Sequence, residues 1–173
     1  AKTKNPGISV FSYHLGLDCT LEEKISLAGC NFIFPNHFDA FLSDLFHRKT
    51  LSSDPFFLLK IPAKTDLYAA PHGFEALSVV IPVPNLASDI SWERESYLFR
   101  THVLELIQDY FVTDLRKHIL FEDYSDPVRM WTENRSYLGA AFSAMPGSAK
   151  KNDHRFPNRC KDIRNLYLVG AGT

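Results

Sequence analysis

Alternation of apolar and polar positions marks the first regular element of the chain. From Ser9 to Leu17 every second side chain after Ser9 is apolar or aromatic, and the intervening positions are mixed. A period of two is typical of a strand with one covered face. The sequence therefore predicts a strand over residues 8–17, with Phe11 and Tyr13 on its more apolar face.

Four further apolar runs predict strands. Residues 32–34 form a short one that Pro35 closes. Runs at 56–61 and 77–83 are joined by a polar loop that contains the turn formers Asp, Pro and Gly, which predicts an antiparallel pair with a long, ordered connection. Residues 119–124 complete the set.

Helical spacing predicts one long helix, from Trp92 to about Tyr110, with Ser91 as its cap. A shorter helix is expected where Phe38, Leu42, Leu45 and Phe46 recur at helical intervals, capped by Asn36 or Asp39.

Two short helices are expected near the third quarter of the chain. One is capped by Thr113 and ends near His118. The other has Pro127 at its first position, where proline is favoured, after a cap at Ser125 or Asp126.

The last nine residues combine a short apolar run with glycines. Leu166 to Val169 carry no charge and predict a strand buried on both faces. Gly170 and Gly172 follow, and glycines at a strand end allow backbone N–H groups to approach a phosphate closely. Because strands and helices alternate irregularly, we expect an α+β fold with a mixed or antiparallel sheet.

Composition and charge narrow the classes of function. Fourteen Phe and seven Tyr among 173 residues exceed what a core of this size needs, whereas a net charge of −1, with no more than two adjacent basic residues, gives no case for nucleic acid. No run predicts a transmembrane helix or a signal peptide. Three widely spaced Cys and scattered His indicate free thiols in a reducing compartment and predict no metal site.

Three motifs, in order, resemble those of the bacterial and fungal phytoene desaturase family of carotenoid desaturases and their relatives. Residues 65–86 resemble T-D-x-x-x-A-P-x-G followed by V-x-x-P-V-P-x-L. Residues 137–143 resemble Y-x-G-S-A-F-S, and residues 165–173 resemble N-L-Y-L-V-G-A-G-T. The similarity extends, with gaps, from about Ser9 to the end of the chain.

Two stretches depart from the family pattern. The chain has Gly29-Cys30 where the family often has a His pair, and Arg155 to Cys160 where the family often reads R-P-H-N-R-D. These departures bear on the reaction and the substrate.

The resemblance implies a flavoprotein roughly three times as long as this chain. Residues 1–160 would form most of a substrate-binding domain, of the kind found in FAD-dependent amine-oxidase-like oxidoreductases. Residues 161–173 would return to the FAD-binding domain as one strand, so the chain is expected to be a carboxyl-proximal fragment. Such enzymes desaturate phytoene or a related polyene by hydride transfer to flavin.

The same resemblance suggests the site residues. Contacts with FAD are expected from Gly170, Ala171, Gly172, Thr173 and Arg159. Contacts with a long apolar substrate are expected from Phe11, Tyr13, Tyr137 and Phe142, although ordinary core packing also explains the first two. No catalytic residue is assigned; His14 and His72 are acid–base candidates.

Three functions stay open at this point. The first is a segment of a carotenoid desaturase or isomerase that binds peripherally to membranes on the cytoplasmic or plastid side, and that is inactive as a fragment. The second is a carotenoid- or lipid-binding module without redox chemistry. The third is a related flavin oxidoreductase that acts on retinol or an amine.

Overall fold

The computed structural model describes residues 7–142, 158–160 and 162–169. The strands are β1 (Ser9–Leu17), β2 (Cys30–Ile33), β3 (Phe57–Lys60), β4 (Glu75–Val83) and β5 (Ile119–Ser125). The helices are α1 (Phe38–Ser43), α2 (Trp92–Gln108), α3 (Leu115–His118) and α4 (Pro127–Thr132), and a π-helical turn (Asp44–Arg48) extends α1. Short 3₁₀ turns span Pro62–Lys64 and Tyr137–Gly139.

The five strands form one antiparallel sheet in the order β2-β3-β4-β1-β5. The two nine-residue strands lie side by side at its centre, with Ser9 opposite Val83 and Leu17 opposite Glu75. The predicted α+β class with an antiparallel sheet is confirmed, and so is the predicted antiparallel pairing of β3 with β4.

Helix α2 covers one face of this sheet and builds the core. Its buried residues Trp92 and Phe99 pack on Phe11, with ring centroids 6.5 and 5.1 Å away. Inward side chains from the three central strands complete the cluster, and all are almost fully buried: Tyr13, Leu15, Leu17, Leu59, Leu77, Val79, Ile81 and Val83. Apolar area removed from water here is the main source of stability.

Most predicted helix limits agree with the structure, but one predicted helix face is wrong. Ser91 and Asp126 are the N-caps of α2 and α4, and Asp126 accepts a hydrogen bond from the Arg129 backbone N–H at 2.8 Å. The buried residues are Phe41 in α1 and Leu45 in the π-helical turn, so Leu45 is buried as predicted, whereas the expected Phe38 and Phe46 are exposed. Phe41 and Leu45 are one helical turn apart, so the covered side is rotated from the predicted one.

The caps of two short helices also differ from the prediction. His37, rather than Asn36 or Asp39, precedes α1, and Asp114, rather than Thr113, precedes α3. Neither residue makes a side-chain capping bond, and only Asp114 is of a type usually preferred at this position.

The final apolar run does not form the buried strand that its composition predicts. Tyr167 makes one isolated bridge with Arg159, and Val169 is 95% exposed. Backbone bonds from Leu168 to Asn158 and from Cys160 to Leu166 complete a small hairpin. An apolar run needs covering elements to be buried, and this hairpin supplies none. The division at residues 160/161 stays a prediction.

Candidate functional site

The sheet has a second face on which no strand residue is buried. In an antiparallel pair, residues directly opposite each other point to the same side. The register therefore places Phe32, Leu58, Val80 and Ser12 in one row across four strands. Every side chain of β1 and β4 on this side is partly or fully exposed. We call this surface the open face.

The open face is largely apolar, with one polar band across it. The next row along the strands contains Cys30, Lys60, Ser78, His14 and Asp123. On either side of this band the central strands present small or apolar side chains: Val10, Ser12, Gly16, Ala76, Val80 and Pro82. Exposed apolar surface on both sides of a polar band is typical of a binding surface with a few polar groups.

Phenylalanines extend the open face at the β2 edge. We define the phenylalanine patch as Phe32, Phe34, Phe38 and Phe56. The Phe34 ring centroid lies 5.2 Å from that of Phe56 and 5.8 Å from that of Phe38, while Phe32 stacks on Phe56 at 6.2 Å. Phe32 and Phe34 are each 65% exposed, so both rings leave most of their surface in water although each contacts Phe56.

Charge bounds the open face at the opposite edge. The Arg129 guanidinium of α4 lies 2.5 Å from the Asp123 carboxylate and 2.6 Å from the Tyr124 carbonyl oxygen, and it also pairs with Glu133 at 2.8 Å. Hydrogen bonds from Arg129 to the two carboxylates raise the pKa of its guanidinium. This network fixes α4 beside β5.

The Tyr137–Phe142 motif lies at the start of β1. The Ser9 hydroxyl donates a hydrogen bond to the Gly139 carbonyl oxygen, and the Ala141 N–H donates to the Ile8 carbonyl oxygen at 3.0 Å. Gly139 has φ +63°, and a Cβ there would stand 2.1 Å from the Pro127 carbonyl oxygen. Its glycine is therefore required by both backbone conformation and space.

The end of the 65–86 motif also lies near the start of β1. The Leu86 N–H donates to the Leu138 carbonyl oxygen at 3.0 Å, and the Asn85 amide donates to the Gly7 carbonyl oxygen at 2.7 Å. Two segments that are far apart in the sequence thus join around one end of the central strands.

The loop at the start of that motif presents apolar side chains at its tip. Asp66 accepts a hydrogen bond from the Tyr68 N–H at 2.9 Å, the bond of an Asx turn, and Gly73 adopts φ +83°. Leu67 is 87% and Tyr68 97% exposed. The motif residues therefore shape a turn that leaves two apolar groups in water.

Phe11 and Tyr13 lie in the core under α2, on the face opposite the open face. Phe11 is fully buried and Tyr13 is 1% exposed, so a substrate could touch them only by displacing α2. The Tyr13 hydroxyl donates to Glu122, which also pairs with Arg100 at 3.0 Å. Burial, followed by this hydrogen bond and the Glu122 charge, raises the pKa of the Tyr13 phenol. The structure therefore shows the core packing that the sequence also allowed for these two residues, and their contact with a substrate stays a prediction.

Tyr137 and Phe142, the other two expected substrate contacts, are exposed. Tyr137 lies 6.1 Å from the Trp131 ring and with it borders a shallow surface pocket. The Phe142 backbone lies close to Gly7, just before the start of β1. Of the acid–base candidates, His14 lies in the polar band of the open face, and His72 is exposed on the 65–73 loop.

The expected cofactor contacts lie mostly outside the described residues. Gly170, Ala171, Gly172 and Thr173 are not among them, and Arg159 is exposed on the small hairpin. An exposed guanidinium suits a phosphate group, but one such group does not build a dinucleotide site. The residues that the structure describes therefore do not by themselves fit FAD.

Apart from the acid–base candidate His14, the sequence analysis assigned no open-face residue to a site. Phe32, Phe34 and Phe56 were visible only as parts of apolar runs, and nothing in a run shows which face a helix covers. Their signal is the excess of aromatic residues over core needs, which locates no surface without the strand order.

Comparison with curated proteins identifies proteins that are similar to this chain. It is 33% identical over 167 residues to 4,4'-diaponeurosporene oxygenase of Staphylococcus aureus strain USA300, an alignment that covers 96% of this chain and 33% of that protein. It is 32% identical over 170 residues to 4,4'-diaponeurosporene oxygenase of Staphylococcus haemolyticus, covering 98% of the chain and 33% of the relative. No family model matches the chain.

The chain thus spans about one third of the length of the curated relatives that it matches. Similarity over nearly the whole chain agrees with the resemblance of the three motifs, which were identified in the sequence independently. Over nearly its whole length the chain is similar to one segment of these oxygenases, which agrees with a fragment of a carotenoid oxidoreductase family.

Proposed function

We propose that this chain is the substrate-binding part of a flavin-dependent carotenoid oxidoreductase, and that its open face borders the path of a long polyene. The observation that supports the proposal is the exposed, largely apolar face of the sheet, extended by the phenylalanine patch. Among the described residues, the buried side chains of the strands all lie on the other side of the sheet.

The chemistry of a polyene suits this surface. A long hydrocarbon offers no hydrogen bonds, so its binding site is lined mainly by apolar and aromatic groups. The central strands have nine residues each, which corresponds to a length of about 30 Å. Small side chains at Ser12, Gly16 and Ala76 keep the surface between the strands low, so an extended chain could lie along it.

For the reaction, we propose oxidation of the polyene by the whole protein. The motifs favour desaturation of phytoene or a related polyene, whereas the names of the relatives favour oxygenation. FAD is proposed on the motifs alone, with residues 170–173 and Arg159 as contacts beside a nucleotide domain outside this chain. No described residue is assigned a chemical step with it.

We test the binding surface with charge placed on opposite sides of the chain. Phe34→Asp and Val80→Asp place a carboxylate on the open face, and Leu98→Asp places one on the exposed outer side of α2. Phytoene in detergent micelles should co-elute with the parent chain and with Leu98→Asp, but not with the other two. Equal retention by all four proteins would refute the open face as the binding surface.

Assays of the whole protein distinguish an enzyme from a binding module without redox chemistry. Purified protein that contains this segment should retain flavin and convert phytoene or 4,4'-diaponeurosporene, and mass spectrometry of the products distinguishes loss of hydrogen from gain of oxygen. Polyene binding without flavin or turnover would instead indicate a non-redox module, and turnover of only retinol or amines a different substrate class.

The chain alone should bind FAD weakly or not at all, because the first βαβ unit of a dinucleotide site is not found in its sequence. A flavin fluorescence titration measures this, and a sub-micromolar dissociation constant would contradict it.

We also propose that the whole protein associates peripherally with membranes, where its substrate dissolves. Among the described residues no helix is long and apolar enough to span a bilayer. The exposed loop tip at Leu67 and Tyr68 is suited to insert shallowly. Replacing both with Asp should reduce recovery with floated liposomes, and unchanged recovery would remove this loop from the proposal.

A further inference from the structure

A thiol, an imidazole and a carboxylate meet at the far end of β1 from the Gly139 motif. The Cys19 Sγ and one ligand atom each of Asp18 and His118 all lie within 4.8 Å of one another. Asp18 and Cys19 directly follow β1, and His118 ends α3 just before β5. About one hundred residues separate the two parts, so the sequence spacing gave no sign of the cluster.

Backbone pairing, rather than chance contact of long side chains, brings these groups together. The Asp18 N–H donates to the His118 carbonyl oxygen at 3.0 Å, and Leu17 lies opposite Ile119 after an irregularity in the register at Gly16. The His118 Nδ1 lies 2.8 Å from the Asp18 carboxylate oxygen. Cys19 is partly buried against the core, which limits the movement of its short side chain.

We propose that Asp18, Cys19 and His118 form a binding site for a divalent transition-metal ion of the zinc type. Thiolate and imidazole together favour Zn²⁺ over Mg²⁺ or Ca²⁺, and a carboxylate with one water completes a tetrahedral set. Tetrahedral zinc holds its ligand atoms roughly 3.5 Å apart. The half-exposed side chains of Asp18 and His118 can close the remaining gap by small rotations.

Such an ion would have a structural role. It would tie the end of β1 to the start of β5, where the pairing is irregular, and bring a positive charge to the Asp18 carboxylate. The site lies beyond the covered core and is independent of the polyene proposal, so either can fail without the other.

The test is titration of the metal-free chain with Co²⁺, which reports a thiolate ligand by a charge-transfer band in the near ultraviolet, followed by displacement with Zn²⁺. We expect the band in the parent and in Cys30→Ser, which removes an exposed cysteine of β2, and its loss in Cys19→Ser and His118→Gln. Zinc should raise the melting temperature of the parent and of Cys30→Ser alone, and magnesium should raise neither.

No band in the parent, or a band that Cys19→Ser and His118→Gln both retain, would overturn the site. Circular dichroism checks that the variants fold. If His118→Gln unfolds, Asp18→Asn serves in its place, with at least a tenfold weaker cobalt affinity expected; unchanged affinity in Asp18→Asn would remove the carboxylate and overturn the three-ligand set.

Discussion

The two faces of the sheet are made from the same strands and similar residues, yet only one is used by the fold. Leu59 is fully buried under α2, and its neighbour Leu58 is partly exposed on the open face. Phe11 is buried and Phe32 is 65% exposed. An apolar surface that a chain leaves uncovered contributes little to its stability, and a large exposed one often marks a binding surface.

The largest effect on stability is expected from replacing Leu59, in comparison with its neighbour Leu58. Leu59→Ala should reduce the free energy of unfolding by about 2–5 kcal/mol, because it leaves a cavity in a closed core. Leu58→Ala should cost less than about 1 kcal/mol, because little apolar area is lost from a partly exposed side chain. Urea unfolding of both variants measures the contrast, and similar losses would mean that the open face is covered in solution.

The next largest effect on stability is expected at Gly139, which lies at one end of the central strands. Gly139→Ala should destabilise the chain more than Gly73→Ala. Both residues have positive φ, a strain of about 1–2 kcal/mol for alanine. At Gly139 the new Cβ also meets the Pro127 carbonyl oxygen at 2.1 Å, whereas at Gly73 nothing lies within 4 Å. Equal melting temperatures would show that the 137–142 segment shifts freely, and that the edge of the open face is not fixed.

Alkaline pH gives a smaller effect that is specific to the covered face. The raised pKa of Tyr13 means that the folded chain keeps the phenol proton which the unfolded chain releases. This contribution to stability is fully present below the unfolded pKa, near 10, and it is lost as the pH rises towards the folded pKa.

Tyr13→Phe should therefore flatten the fall of melting temperature above about pH 10. Tyr137→Phe, at an exposed phenol, should leave the profile as it is. A parent whose stability does not change between pH 9 and 11 would contradict the burial of the Tyr13 hydroxyl.

The smallest effect is expected on the open face itself. Phe34→Ser should change the free energy of unfolding by only about 0.5 kcal/mol, as is typical of exposed positions. Differential scanning calorimetry beside the exposed-helix variant Leu98→Ser checks this. A loss as large as that of Leu59→Ala would assign the phenylalanine patch to the fold rather than to a ligand.

Local patterns predicted much of the fold. Alternation along β1 identified its covered side chains, and the positions of Ser91 and Pro127 set the starts of α2 and α4 within a residue. These features depend on neighbours in sequence, which a pattern records directly.

Features that depend on distant partners were not predictable in the same way. The buried side of α1 is set by the elements that it packs against rather than by its own sequence, and the run 166–169 lacks covering elements within the described residues. Likewise Phe11 and Phe32 differ only in which side of the sheet α2 covers. The open face and the Asp18–Cys19–His118 cluster both require the strand order.

The strand order also affects how the chain acquires its structure. The central pair joins β1 to β4, so Leu17 cannot pair with Glu75 until Glu75 has been synthesised. The β1–β5 pair likewise cannot form fully until Ser125 has been synthesised. Contacts so distant in sequence slow folding, because loop closure costs entropy before pairing repays it. At a synthesis rate of roughly 5–20 residues per second, β1 spends several seconds on the ribosome without a partner. During that time the side chains of β1 that will be buried, among them Phe11 and Leu15, are available to chaperones and to other nascent chains.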